Sequence, residues 1–178
     1  MMEMIITGLL TGFVSAICAS AVFVLLMYRQ RPKLQLSTEI AKTTIDGQTF
    51  YALKVINIGR RDAISIVAEL ILIQQTVVEG GIGYNVIELD LVRNKVFHLR
   101  PLSKVGDKFG AVFEFITTED LGTEWKNFHD SYLVFRVTAQ DSLSLSTHVF
   151  TSEFESPEKA IVVGRFAKGA KMTISNPK

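Results

Sequence analysis

The chain has 178 residues, 48% of them hydrophobic, with 19 Lys and Arg against 18 Asp and Glu and a formal net charge of +1. Charges this evenly balanced leave no basic stripe to track a phosphate backbone, so nucleic acid is not an expected partner. A single cysteine, Cys18, excludes a disulfide framework within the chain, and His98, His129 and His148 are too dispersed for a Cys/His zinc site, so no metal or cofactor is expected.

Met4 to Tyr28 reads MIITGLLTGFVSAICASAVFVLLMY and carries no charge. As a helix rising ~1.5 Å per residue it is about 37 Å long, enough to cross a ~30 Å hydrocarbon core with some tilt. Residues 1–30 are therefore read as a transmembrane helix. A cleaved signal peptide would need a basic amino-terminal region, and only Glu3 is charged there. The apolar run also continues past Ala19-Ser20-Ala21, the one small-residue site that resembles a cleavage point. A lipoprotein signal ending at Cys18 fails because Ile17 stands where a small residue is required. Arg29, Arg31 and Lys33 follow the helix and no Lys or Arg precedes it. Positive charge stays on the cytoplasmic side, so the amino end is expected outside the cell inner (plasma) membrane and residues 31–178 inside. Tyr28 falls where an interfacial aromatic belongs.

Gly8, Gly12, Ala16 and Ser20 recur every four residues and share a stripe of the helix, with Thr7, Thr11, Ser15 and Ala19 in the adjacent one. Lipid gives no hydrophobic reward for helix contact, so small side chains that let backbones approach favour association. The expected partners are the membrane itself and either further copies of the chain, as a homo-oligomer, or another membrane protein. A water-lined pore along Thr7, Thr11, Ser15 and Cys18 is a sharper version of that association and is not expected from these residues alone.

Residues 31–178 read as one all-β domain, an immunoglobulin-like β-sandwich. Leu34 to Ile40 alternates apolar and polar at the period of a half-buried strand. Asp46-Gly47 signals a hairpin, and the chain returns through Phe50 to Ile56, closing at Asn57-Ile58-Gly59. Arg60-Arg61-Asp62 is expected to be an exposed corner. Ala63 to Ile73 is apolar on both faces, with Ile64, Ile66, Ala68, Leu70 and Leu72 on one and Val67, Ile71 and Ile73 on the other. That pattern predicts a central strand or one covered by a partner. Gln74 to Gly83 carries three glycines and is expected to be a mobile loop. Further strands are predicted at Ile87 to Leu91, Val96 to Leu99 and Ala111 to Phe115. Leu121, Trp125 and Phe128 predict a short amphipathic helix within Thr118 to His129, with Glu119, Asp120 and Glu124 offsetting its dipole. Strands follow at Tyr132 to Ala139 with Leu133, Phe135 and Val137 inward, at Leu143 to Val149 after the Asp141-Ser142 turn, at Ala160 to Phe166 and at Lys171 to Ile174.

The run Phe135-Arg136-Val137-Thr138-Ala139-Gln140-Asp141, followed by Val149, Phe154, Ile161, Gly164 and Phe166, resembles the end of the immunoglobulin-like cytoplasmic domain of inward-rectifier potassium channels. The shared features are an Asp at a turn, a strand, then I-x-x-G-x-F. They cover about thirty residues and imply the immunoglobulin-like fold. They imply neither channel activity nor any functional residue. Gly81-Ile82-Gly83-Tyr84 is followed by a charged strand pattern from Asn85, where a channel has its second membrane helix.

No G-x-S-x-G, P-loop or G-x-G-x-x-G is present, and Gly80-Gly81-Ile82-Gly83 lacks the Lys-Ser/Thr of a phosphate cradle. The chain is accordingly not expected to be an enzyme. Its expected function is that of a membrane-anchored binding or sensing module whose ligand is unknown. A membrane-disrupting effector of a bacterial antiphage defence system, by class analogy alone, and an accessory subunit of a membrane complex are the alternatives.

Overall fold

In a computed structural model of the chain, the described residues are 2–29, 31–105, 110–125 and 131–175. The chain divides into two compact units, Met1–Arg31 and Pro32–Lys178. The first is a helix, α1 (Met2–Arg29), with no buried residue. It is long and apolar enough to cross a membrane. Beyond its last turn the Arg31 guanidinium lies 4.2 Å above the Tyr28 ring.

The second unit is mostly β. In chain order it runs β1 (Leu34–Leu36), β2 (Ile40–Ile45), β3 (Gln48–Asn57), β4 (Ala63–Val78), β5 (Gly81–Leu89), β6 (Lys95–Leu99), α2 (Leu102–Val105), β7 (Val112–Thr117), α3 (Leu121–Glu124), β8 (Ser131–Asp141), β9 (Thr147–Phe154), α4 (Pro157–Ala160), β10 (Ile161–Val163), β11 (Arg165–Phe166) and β12 (Ile174–Ser175). In the first sheet β3 is central. Its one edge pairs with β7, its other edge with β1 and β2 end to end, and β10 adds to β2 in parallel. In the second sheet β4 is central, with β8 and then β9 on one edge and β5 and β6 sharing the other. A separate ribbon joins β11 and β12.

One buried cluster draws on both sheets: Tyr51, Leu53, Val55 and Phe115 from the first, and Ile66, Ala68, Leu70, Leu72, Leu133, Phe135 and Val137 from the second. Phe115 and Phe135 meet edge to face at 5.8 Å, and Phe113 abuts Phe115 at 4.8 Å. Such a pair is worth about 0.5–1.5 kcal/mol beyond the area it buries.

The expected central strand is β4, but its inward set begins differently. Ser65 adopts φ 49° and the register with β8 shifts between Ile64 and Val67. This bulge turns Ala63 inward in place of Ile64, after which Ile66, Ala68, Leu70 and Leu72 alternate as expected. The predicted strand Leu34–Ile40 is divided at Ser37. Its amide donates to the Lys54 carbonyl at 2.8 Å, its hydroxyl accepts from the Lys54 amide at 3.1 Å, and its carbonyl accepts from Ser152 Oγ at 2.9 Å. These local bonds end one ladder, and the next begins at Ile40.

The corner at Arg60-Arg61-Asp62 is only partly exposed. Asn57, fully buried, ties it down by donating to the carbonyls of Arg61 and Leu99 at 2.8 and 2.9 Å and accepting from Gly59 N at 3.0 Å. Leu143 and Leu145 are not on a strand: they lie exposed in the turn that precedes β9. Ala160 ends the one-turn α4, and Gly164 (φ 143°) separates β10 from β11. The predicted helix is the single turn α3, where the Asp120 carboxylate caps Gly122 N and Leu121 and Trp125 are buried. Phe128 and His129 lie outside the described residues.

Candidate functional site

The expected mobile loop Gln74–Gly83 is instead an extended ladder. β4 pairs with β8 only as far as Gln74↔Ser131, while its pairing with β5 continues to Val78↔Gly81. Among the described residues, β4 and β5 from Gln75 onward pair only with each other, as a two-stranded ribbon. Glu79-Gly80 closes it, with Gly80 at φ 101°, a conformation that glycine adopts without steric penalty. Gly83 is tightly placed too, since an added Cβ would approach Val78 Cγ1 to 3.2 Å.

Alternation along a strand sorts the ribbon's side chains onto two faces. Gln74 faces the core, is buried, and accepts from Asn85 Nδ2 at 3.1 Å. The opposite, outward face carries Val77 opposite Ile82, Gln75 opposite Tyr84, and Ile73 opposite Val86, with Ile73 also opposite Tyr132 on β8. Val77 is 94% exposed, Ile82 63%, and Tyr84 and Val86 61% each. The apolar area continues inward through Ile71 and Val134 and stops at polar boundaries: Glu88 opposite Ile71, Glu153 opposite Val134, and the Arg136–Glu69 ion pair at 2.5 Å. An apolar patch with a polar rim is the pattern found at surfaces that bind protein or membrane partners.

The edges of the sheets are closed unequally. The edge of β7 is met by Val92 N, which donates to the Ile116 carbonyl at 2.8 Å. β9, THVFTSEF, carries one carboxylate, Glu153, and no Lys, Arg or Pro, and among the described residues only a side-chain bond, from Ser152 Oγ to the Ser37 carbonyl at 2.9 Å, joins it to the chain beside it. β10 has three residues. The nine residues of β5, GIGYNVIEL, contain no Lys, Arg or Pro and one charge, Glu88. Charge, proline and shortness are how exposed edges are normally protected.

Two polar clusters lie elsewhere. Asp62 accepts from His98 Nε2 at 3.2 Å and Lys104 Nζ at 3.3 Å. Partial burial pushes its carboxyl pKa up, but hydrogen bonds and charge from His98 and Lys104 outweigh that and hold it below the usual value. Asp141 Oδ1 accepts from Leu143 N, Ser144 N and Ser144 Oγ at 2.7–3.0 Å. Burial again pushes upward and is outweighed by these donors and the Arg61 charge. Ser144, Ser146 and His148 continue the chain of hydroxyl contacts outward at 2.7 and 3.1 Å. Its outer members are surface residues, and the arrangement orders the turn before β9. Among the described residues no group of three or more His, Cys, Asp or Glu is placed to hold a metal ion.

The sequence matches no protein-family model and no curated protein. Among solved structures, the crystal structure of Spo0M, a sporulation control protein from Bacillus subtilis, is similar. The TM-score is 0.41 at 12% sequence identity, covering 70% of this chain and 49% of that one. The chain thus spans about half the length of that structure.

Gly8, Gly12, Ala16 and Ser20 all lie exposed on α1, and Cβ atoms added at Gly8 and Gly12 would meet nothing within 4 Å. Arg29 ends that helix and Arg31 stacks on Tyr28. Lys33 belongs to the second unit, where its carbonyl accepts from Ile58 N at 2.9 Å. The outward row Val77, Ile82, Tyr84 and Val86 was not singled out by sequence reasoning. Its signal was present as the alternation Ile82, Tyr84, Val86, masked by the neighbouring glycines.

Proposed function

We propose that the protein is a single-pass membrane-anchored binding or sensing module. Its head is an immunoglobulin-like β-sandwich on the cytoplasmic side of the plasma membrane, and it docks a protein partner through the outward face of the β4–β5 ribbon. The observation that carries this reading is the exposed row Val77, Ile82, Tyr84 and Val86, bordered by Glu88, Glu153 and the Arg136–Glu69 pair. Arg29, Arg31 and Lys33 support the orientation, and the stripe Gly8, Gly12, Ala16 and Ser20 supports association of the anchors within the bilayer.

A photoreactive phenylalanine at position 84, in the full chain in its native membrane, tests the docking face. A discrete adduct is expected, reduced at least tenfold by Val77→Asp. The same probe at Lys168, between β11 and β12, is expected to give none. Equal labelling at both positions, or none at 84, would refute the reading. A carboxyl-terminal reporter active only outside the cell would refute the orientation.

A further inference from the structure

We infer that β5 pairs with β5 of a second copy, antiparallel about a twofold axis at Asn85, joining the two second sheets into one. The inference rests on reading the β4–β5 ribbon as a binding surface and identifies what occupies its edge. Counted from the two-residue turn that closes Val78↔Gly81, the alternation of an antiparallel ladder turns the amides and carbonyls of Ile82, Tyr84, Val86 and Glu88 away from β4. These are the groups a further strand would engage.

The strand is self-complementary in that arrangement. With the axis at Asn85, Tyr84 lies opposite Val86 of the partner copy and Ile82 opposite Glu88, all on the outward face. On the other face Gly83 lies opposite Ile87 and Gly81 opposite Leu89, so each large side chain meets a glycine. The sequence GIGYNVIEL offers no lysine, arginine or proline to oppose the approach.

The available area points to a partner held nearby. A nine-residue edge with its outward side chains buries on the order of 500 Å² per copy, below the ~800 Å² of a stable free interface. Anchoring by α1 raises the effective concentration in the bilayer, where an intrinsically weak edge contact becomes populated. The pairing is therefore expected in membranes and lost on dilution into detergent.

Disulfide trapping tests it on the full chain in membrane vesicles, in a Cys18→Ala background. Asn85 lies opposite its own symmetry mate as a non-hydrogen-bonded pair with Cα atoms ~4.5 Å apart, within disulfide reach. Asn85→Cys is expected to give a covalent dimer under mild oxidation, and Lys168→Cys at least tenfold less. Adding Tyr84→Glu is expected to lower the Asn85→Cys dimer at least tenfold. Adding Tyr84→Glu and Val86→Lys together is expected to restore it to within threefold, because the two new charges face each other across the axis. No dimer above the Lys168→Cys control, indifference to Tyr84→Glu, or a double variant no better than the single would each overturn the pairing. A face that binds only a different protein would leave the position-84 photoadduct in place while these disulfide results fail, which separates the two ideas.

Discussion

Lys54 offers a quantitative test of how the head is held together. Its side chain is 1% exposed on the central strand of the first sheet. Nζ donates to the Ala167 carbonyl at 2.7 Å, lies 3.5 Å from Glu114 Oε1, and sits 5.4 Å above the Phe166 ring. Glu114 is 41% exposed, so water screens that ion pair and limits its net worth to about 1 kcal/mol or less. The hydrogen bond from the ammonium to a carbonyl is worth about 1.5–3 kcal/mol, toward the lower end because Ala167 is partly exposed and water can replace the donor. The buried stem fills space that would otherwise be a cavity. Lys54→Met, which keeps the volume, should therefore cost about 1.5 kcal/mol, and Lys54→Ala about 3 kcal/mol or more because it adds the cavity. Glu114→Gln should cost under about 1 kcal/mol. Urea titration in detergent, followed by the fluorescence of the sole tryptophan, Trp125, which is buried and donates to the Ser131 carbonyl at 3.1 Å, measures all three. If Glu114→Gln costs more than Lys54→Met, the ion pair dominates and the ranking is wrong.

Gly164→Ala should destabilise the head by at least ~2 kcal/mol in the same titration, because φ is 143° and the added Cβ would lie 2.6 Å from the Ser175 carbonyl oxygen. Ser65→Gly should stabilise it by up to about 1 kcal/mol by relieving the left-handed conformation at the β4 bulge, as a shift in urea midpoint without a change in slope. The folded-state pKa values of Asp62, Asp120 and Asp141 are all lowered; at Asp120 the leading cause is the Thr123 hydroxyl. Their stabilisation is thus fully present above the ~3.9 of an unfolded aspartate and is lost as pH falls through the lower folded values. Urea midpoints should accordingly decline below about pH 5. Asp141→Asn should flatten that decline, and an unchanged slope would contradict the assignment.

The parts of this fold that were legible in the sequence are those where one local rule acted alone. The apolar run of α1 has no competing signal. Asp46-Gly47, with φ 51° and 81°, is the left-handed pair a two-residue hairpin requires. Leu133, Phe135 and Val137 keep strict alternation and are all buried. Legibility failed where side-chain hydrogen bonds or a single backbone inversion changed the phase. Ser37 satisfies neighbouring backbone groups and ends a ladder inside an alternating run. Ser65 slips the phase of β4 by one residue and ejects Ile64. Asp141 gathers the amides of Leu143 and Ser144, so Leu143 and Leu145 join an exposed turn although their spacing imitates a strand.

The β4–β5 ribbon failed to read for a different reason, and that reason bears on its role. A strand inside a domain announces itself by burying one face, and glycine there weakens it. The ribbon past Gln74 has almost no core to bury against, so neither the apolar pattern nor the glycine content looks like a strand in isolation. What holds the extended form is the two-residue turn and the continuous pairing with β4 from Leu89 to Gly81. Isolated two-stranded ribbons are marginal in water. This one nevertheless exposes Val77, Ile82, Tyr84 and Val86 instead of the charged residues that would solubilise it. A marginal element carrying side chains that water disfavours gains stability when its face and edge are covered. In the docking proposed above, the same four residues that cost the free head solubility would supply the driving force for the complex.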